Sequence, residues 1–589
     1  MTPIYNAISQ HAMQTPNQIA ITEISQAMAN DGSDHQINQQ GLNKQSTKQQ
    51  VIEQCIKQLT YAELQTHLTN LSDLLHPYQG RRVAIYAVNN IDWVLLDLAF
   101  SHVGAVVIPI PLFFSASQIE HLLQDAQIEL IYIGIGLSLP QLSDSEAITK
   151  TTTPGIETIT SQHNGLTETP VINGTFYQTK YSVNTASNQT SDASTDTLKD
   201  RPFCKVTYTS GSTGMPKGVC LGDETLMRIV TSLSDALSDT LTDTTQDVIQ
   251  SKVGQSKAGH LSVLPFATLL ENVAGMYVSL YMGRTLVIGD VSQFGLLSNQ
   301  AFDADKLLHT LQMHRIASVI LLPQMLKAIC ECDSTYDLSA LKFMAVGGGK
   351  VSPTLLKEAT ALGLPVYEGY GLSECGSVVS LNTPKAHRAG SVGKPMPHAA
   401  VSIAPTGEVM VAGNAMHGYL NQDSSVSKTD LNQPLIATGD IGHLDEDGYL
   451  YITGRRKNVL ISSFGRNISP EWVEAQLLTQ PIIYQAAVLG DGEPALSAVI
   501  VVNLEWASIG QAGVNQASTD RANTELEQLI AEAIEHVNQT LPDYAQVKHW
   551  HITDDAFSVD NGLLTDNGKL RRLHILQTYA ATLGIRHLA

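Results

Sequence analysis

From residue 60 to residue 133 the chain alternates short apolar runs with amphipathic ones, and this order restricts the fold more than any other feature. Thr60-Tyr61-Ala62-Glu63 has the hydroxyl and carboxylate spacing of a capping box, and Leu64, Leu68, Leu71 and Leu75 then recur at helical period. An amphipathic helix ended by Pro77 is predicted. Residues 82–88 then read as a strand, 91–102 as a helix, 105–110 as a strand, 115–126 as a helix and 128–133 as a strand. Strands separated by helices need crossover connections, so a parallel sheet is expected. Short apolar strands resume at 261–264, 285–288, 318–322 and 343–346. Beyond about Asn458 the chain changes to a shorter unit, with strands at 486–489 and 497–502 and a helix near 526–541. The expected fold class is α/β: a large N-terminal region of βα-layered subdomains with parallel sheets, residues 1–457, and a small mobile α+β C-terminal domain, residues 458–589. Polar stretches at 25–50 and 138–200 read as surface insertions without a core, and 232–258 as half helix, half loop.

The run Tyr208-Thr209-Ser210-Gly211-Ser212-Thr213-Gly214-Met215-Pro216-Lys217-Gly218-Val219 gathers small hydroxyls and glycines around one lysine. Glycine lets backbone N–H groups turn toward phosphate oxygens, hydroxyls add donors or a magnesium contact, and lysine supplies charge. This is chemistry for a polyphosphate. It differs from a Walker A loop, which sets Gly-Lys directly before Ser or Thr at a helix start. Pro216 removes a donor and Gly218 weakens any helix, which predicts Lys217 on a flexible loop.

Lys plus Arg number 35 against 56 Asp plus Glu, a net charge of −21. That balance argues against a nucleic-acid binder and against an electrostatic membrane anchor, and any anionic ligand must meet locally concentrated cations. Gly454-Arg455-Arg456-Lys457-Asn458 is one such concentration. The six cysteines have neither disulfide nor zinc spacing, as suits a reducing compartment. The start of the chain lacks the basic-then-apolar pattern of an export signal. The longest apolar stretch, 93–114, is broken by Asp97, His102, Gly104, Pro109 and Pro111, whereas a spanning helix needs about 20 largely apolar residues. A cytoplasmic protein without a transmembrane segment is expected, with peripheral membrane contact compatible.

Further stretches carry chemistry. Ala345-Val346-Gly347-Gly348-Gly349-Lys350 ends a strand in glycines against which a flat ring can lie. Glu368-Gly369-Tyr370-Gly371-Leu372-Ser373-Glu374 offers a stacking aromatic, a hydroxyl and a carboxylate suited to magnesium, although Tyr370 reads equally as core and Glu374 as a solvated end. Thr438-Gly439-Asp440 sets a carboxylate where it can accept two ribose hydroxyls, or forms a hairpin turn. The segment from Gly407-Glu408-Val409 through Gly413, Met416, Gly418 and Tyr419 shows no reacting group and reads as structural. Asn561-Gly562-Leu563-Leu564-Thr565-Asp566-Asn567-Gly568-Lys569-Leu570-Arg571-Arg572 is a glycine-borne lysine or a plain basic tail.

Taken in this order, these stretches resemble the adenylate-forming (AMP-binding) superfamily of acyl-CoA synthetases, peptide-synthetase adenylation domains and beetle luciferases, over about residues 60–572. Leu264-Pro265-Phe266-Ala267-Thr268-Leu269-Leu270-Glu271-Asn272 and Asn561-Gly562-Leu563-Leu564-Thr565 look most like long-chain fatty acyl-CoA synthetases. The resemblance implies a two-step acid–thiol ligase using ATP, Mg2+ and CoA. A carboxylic acid, medium- or long-chain fatty by this likeness, attacks the α-phosphate to give acyl-adenylate, and a thiol then displaces AMP. A carrier protein's phosphopantetheine is the alternative acceptor, and a non-catalytic nucleotide binder is the alternative of another class. By the same resemblance Thr209, Ser210, Gly211, Ser212, Thr213, Gly214 and Lys217 form the phosphate loop, with Thr213 also catalytic. Gly347, Gly348, Gly349, Glu368, Gly369, Tyr370 and Gly371 belong to the nucleotide site, with Tyr370 stacked on adenine. Ser373 approaches the α-phosphate, Glu374 binds magnesium, and Asp440 and Arg455 hold the ribose. Lys569 bridges the acyl carboxylate and the α-phosphate. Lys457 is the hinge about which the small domain swings to bring Gly465 and Arg466 to the thiol tunnel.

Two residues depart from the pattern. Thr268 stands where long-chain synthetases usually have histidine, which loosens the expected chain length and acid class, and Asn458 replaces the commoner acidic residue after the hinge. An apolar tail is expected near Phe266, Val273 and Met276, residues equally at home in a core. Residues 25–50 fall outside the resemblance.

Overall fold

In the computed structural model the helix Tyr61–Leu75 starts on the expected capping box: the Glu63 N–H donates to the Thr60 hydroxyl and the Thr60 N–H to the Glu63 carboxylate. Leu64, Leu68, Leu71 and Leu75 are fully buried, and the helix gives way to a 3-10 turn that holds Pro77. The structure describes residues 2–26, 54–140, 148–150, 172–180, 203–209, 216–241, 259–296, 302–349, 351–422, 427–428, 434–461, 467–503, 519–565 and 568–585. Ser210, Gly211, Ser212, Thr213 and Gly214 of the expected phosphate loop, and Gly465 and Arg466, expected at a thiol tunnel, therefore lie outside the described residues.

The βα alternation becomes a parallel core. Leu130–Ile133, Arg82–Tyr86 and Val106–Pro109 are parallel neighbours joined through the helices Ile91–His102 and Ala116–Asp125. Lys205–Thr209 extends this sheet, followed by Lys217–Leu221 and Gly418–Tyr419, and Thr175–Thr179 and Ile148–Lys150 close its other side. Those last two strands fall inside the polar stretch 138–200 expected to carry no structure. On Thr175–Thr179, Phe176, 1% exposed, packs its ring 5.2 Å from that of Tyr132, which supplies the apolar area that composition alone hides. Similarly, Ser25 and Gln26 belong to the strand Ile19–Gln26, antiparallel to Gln54–Thr60, and residues 232–241 complete the helix Asp223–Leu241.

A second sheet runs through Val366–Leu372, Phe343–Val346, Ser318–Leu321, His260–Leu261, Leu286–Gly289 and Ile19–Gln26, all parallel. The helix Ile91–His102 is buried along nearly its whole length in an apolar cluster shared by both sheets. That cluster contains Phe266, Val273 and Met276, so the residues expected to line an acyl tunnel are core.

One polar knot sits in this core. Lys205 Nζ donates to Asp97 Oδ1 at 2.6 Å, Asn272 Oδ1 at 2.7 Å and the Tyr277 hydroxyl at 2.8 Å, and that hydroxyl donates in turn to Asp97 Oδ2. Both charged side chains are 0% exposed. The knot ties the strand Lys205–Thr209 to the buried helix and to the π-helical turn Glu271–Tyr277.

A smaller antiparallel sheet holds Ala400–Ile403, Glu408–Ala412, Pro434–Leu444 and Leu450–Arg455. Beyond it, the sheet of Ile483–Leu489, Leu496–Val502 and Val547–Thr553 has its own two apolar clusters, one with the helices Pro470–Leu477 and Thr519–Asn538 and one with Arg572–Leu583. Among the described residues no helix is long and apolar enough to cross a membrane.

Candidate active site

Phe343–Val346 and Val366–Leu372 are parallel neighbours with Val346 opposite Glu368, so Gly347, Gly348 and Gly349 emerge beside Glu368, Gly369 and Tyr370. The second strand ends at Gly371 and Leu372 in the single turn Ser373–Cys375, which carries Ser373 and Glu374.

Asp440 is not on a hairpin turn but inside the long strand Pro434–Leu444. Gly439 interrupts that strand at φ +74°, a left-handed conformation that costs glycine little. The Gly439 N–H donates to Glu408 Oε1 at 2.9 Å, and Glu408 Oε2 pairs with Arg456 at 2.7 Å. Asp440, 3% exposed, faces Arg455 across the ladder. Its Oδ1 pairs with Arg455 Nε at 2.7 Å and its Oδ2 accepts from the Tyr370 hydroxyl at 2.6 Å. Burial pushes the Asp440 carboxyl up, opposed by Arg455, the Tyr370 hydroxyl and Lys569. Burial and Asp440 together push the Tyr370 phenol up, so it stays a donor and fixes its ring.

Lys217 departs from expectation. It does not sit on a flexible loop but opens the strand Lys217–Leu221, opposite Thr209. Pro216 is anchored by its carbonyl, 3.1 Å from His121 Nε2. A Cβ on Gly218 would lie 2.9 Å from Val206 Cγ1 and 3.0 Å from Tyr208 Cζ, so this glycine serves close strand packing rather than mobility.

Lys569 arrives from the C-terminal unit. Its N–H donates to the Thr565 hydroxyl at 3.1 Å and its carbonyl accepts from the Thr565 N–H at 2.7 Å, closing a tight turn. Behind the turn, Arg572 binds Glu474 through both guanidinium nitrogens, NH2 at 2.6 Å from Oε2, and NH1 also donates to the Val488 carbonyl. Lys569 remains exposed to solvent, although the surrounding protein takes part of the water from its ammonium and sets it in the charge field of Arg455, Asp440 and Glu374. This partial desolvation and Arg455 hold it below the ordinary lysine value of 10.5, while Asp440 and Glu374 work the other way.

The fold thus gathers Tyr370, Glu374, Asp440, Arg455 and Lys569 from five separate elements into one electrostatic cluster. Two residues of the segment read as structural join it: Glu408 through Gly439, and Tyr419, whose hydroxyl donates to Glu374 Oε1 at 2.8 Å. A Gly-Tyr pair is a thin local signal; only the sheet pairing of Gly418–Tyr419 with Lys217–Leu221 brings that tyrosine to the site.

The sequence profile of the AMP-binding enzyme matches residues 37–420, and that of the AMP-binding enzyme C-terminal domain matches residues 457–584. The chain belongs to the AMP-binding enzyme family. The first match starts at residue 37, inside the stretch 25–50 expected to fall outside the resemblance. This AMP-binding enzyme is 25% identical over 546 residues to the long-chain-fatty-acid–CoA ligase FadD15 of Mycobacterium bovis, covering 85% of this chain and 87% of that one. It is 30% identical over 301 residues to the 2-succinylbenzoate–CoA ligase of Bacillus licheniformis, covering 48% of this chain and 56% of that one. Among solved structures, the o-succinylbenzoate CoA synthetase of Bacillus subtilis in complex with its acyl-adenylate OSB-AMP has a TM-score of 0.64 at 21% identity over 97% of each chain. The anthranilate CoA ligase AuaEII in complex with anthranoyl-AMP has 0.66 at 16% identity over 98% of each chain. Both share the fold.

Proposed function

We propose that this AMP-forming acid–thiol ligase activates a medium- or long-chain fatty acid through an acyl-adenylate and delivers it to CoA in the cytoplasm. The observation that supports adenylation at this site is the seat of Lys569, a cation carried by the C-terminal unit into the field of Asp440, Arg455 and Glu374. An acid carboxylate and an α-phosphate are both anions, so the barrier to their meeting is electrostatic, and a lysine fixed between them stabilises the charge that builds up. No covalent protein nucleophile is needed. In this reading the phosphate loop with Thr209, Thr213 and Lys217 holds the leaving pyrophosphate, and Ser373 faces the α-phosphate. Tyr370 stacks on adenine beside the Gly347–Gly349 run. Asp440 and Arg455 hold the ribose. Lys457 is the hinge at the boundary of the two domains, and Gly465 and Arg466 serve the thiol tunnel.

Glu374 fits a magnesium ion. Its Oε1 is held by Tyr419, and among the described residues Oε2 accepts no hydrogen bond. Magnesium takes one or two carboxylates and completes its shell with water and phosphate oxygens. When bound, the ion neutralises phosphate charge.

For the acid, the match to the fatty-acid ligase spans 85% of this chain at 25% identity, whereas the 2-succinylbenzoate ligases match between 48% and 72% of it at 25% to 30% identity. Thr268 donates its hydroxyl back to the Pro265 carbonyl at 2.6 Å, so it offers no proton to a polar acid. The decisive experiment is ATP–pyrophosphate exchange over a panel of fatty and aromatic acids, followed by product analysis with CoA and with a holo carrier protein. Fatty-acid-driven exchange and an acyl-CoA product are expected. Exchange driven by 2-succinylbenzoate alone, or transfer to the carrier protein alone, would replace this reading, and silence with every acid would favour a nucleotide binder without turnover.

The low-lying Lys569 ammonium gives a pH signature. Deprotonation removes the cation, and the free-enzyme value is depressed, so kcat/KM for adenylation should fall on the alkaline side below the ordinary lysine value of 10.5. A Lys569→Arg variant that retains activity should lose that limb, because guanidinium does not titrate in this range. A wild-type profile flat up to 10.5 would contradict the assignment.

A further inference from the structure

The short segment ending in Tyr419 is zipped to two parts of the site at once. Along one side, the His417 N–H donates to the Cys220 carbonyl at 2.9 Å and the Leu420 N–H to the Gly218 carbonyl at 2.7 Å, extending the strand that begins at Lys217. Along the other, the Met416 N–H donates to the Glu374 carbonyl at 2.7 Å and Asn414 Nδ2 to the Cys375 carbonyl at 3.1 Å, gripping the turn that carries Glu374. Tyr419 sits where these two grips meet. Its hydroxyl donates to Glu374 Oε1 at 2.8 Å, and its ring lies 5.4 Å from Lys217 Nζ.

We propose that Tyr419 is a positioning residue for the metal–triphosphate group, aiming Glu374 at the cation and Lys217 at the phosphates through one side chain. The inference rests on the reading of Glu374 as the magnesium ligand. A glutamate has three side-chain torsions, and fixing Oε1 restricts the direction in which Oε2 can meet an ion. The ring face attracts the ammonium, which holds Lys217 near Glu374 without a salt bridge that would neutralise both. The two functions are separable because one belongs to the hydroxyl and the other to the ring.

The test compares full-length wild type with Tyr419→Phe, Tyr419→Leu and Glu374→Gln by calorimetric titration of ATP, once with Mg2+ and once with EDTA. Mn2+·ATP binding read by electron paramagnetic resonance and thermal unfolding of each variant run alongside. Tyr419→Phe is expected to keep wild-type unfolding and metal-free ATP affinity while losing about tenfold of the gain that metal confers, in line with removal of a hydrogen-bond partner behind a metal ligand. Tyr419→Leu is expected to lose metal-free affinity as well, because the ring is gone. A wild-type metal gain in Tyr419→Phe overturns the proposal, as does equal loss with and without metal. Glu374→Gln separates the two readings: if it keeps the metal gain, the assignment of Glu374 is wrong whatever Tyr419 does.

Discussion

Lys569→Ala is expected to slow acyl-adenylate formation by about a hundredfold to a thousandfold, the size of effect seen when one preorganised donor is removed from a charge-stabilising site. The turn that carries Lys569 is held by Thr565 and by the Arg572–Glu474 pair, none of which involves the ammonium. Truncation therefore removes the charge and leaves the domain folded. Single-turnover formation of acyl-adenylate measures the loss, and the second half-reaction serves as the internal control. Supplied acyl-adenylate should still be converted to thioester at near the wild-type rate, because in the swinging-domain reading Lys569 has left the site by then. Equal loss in both half-reactions would refute that reading.

Lys205→Met is expected to destabilise the N-terminal region by about 3–5 kcal/mol, the cost of leaving one member of a buried ion pair behind. Asp97 is 0% exposed, and without the ammonium its carboxylate keeps only the Tyr277 hydroxyl among the partners of the knot. The alternative is that the pair is dispensable. Buried pairs often exchange for apolar residues of similar volume with little loss, so the double variant Lys205→Met with Asp97→Leu should recover most of the stability. Denaturant unfolding followed by intrinsic fluorescence reads both, since Trp93 lies beside the knot, its ring 5.8 Å from Lys205 Nζ. A single variant within about 1 kcal/mol of wild type would show that the knot contributes little.

What was legible in the sequence had a local signature. The capping box at Thr60, the leucine period behind it and the βα alternation all rest on residues within a turn or two of each other, and they reappear in the helix Tyr61–Leu75 and the parallel core. Glu374, Asp440, Arg455 and Lys569 each lie in a recognisable motif, and the fold brings them together. The supporting residues were not legible, because their partners are remote. Asp97 interrupts an apolar run and Lys205 opens a strand, each an oddity alone, and a separation of 108 positions conceals the pair. Glu408 and Tyr419 lie in a segment without reactive side chains, and their meaning comes from sheet register, which sequence patterning does not specify across long connections. Lys217 runs against its local pattern for a related reason: Pro and Gly suggest a mobile loop locally, whereas here one anchors to His121 and the other admits the Tyr208 ring.

The placing of Lys569 beside Arg455 carries a thermodynamic consequence for the whole molecule. Docking the C-terminal unit brings a second cation into a partly dehydrated space, and both burial and Arg455 disfavour its charge. A phosphate entering that space relieves both penalties. In the swinging-domain reading, nucleotide affinity and interdomain docking are then a single coupled equilibrium: nucleotide favours docking by the same factor by which docking tightens nucleotide binding, and loss of the anion at turnover weakens docking without a separate trigger.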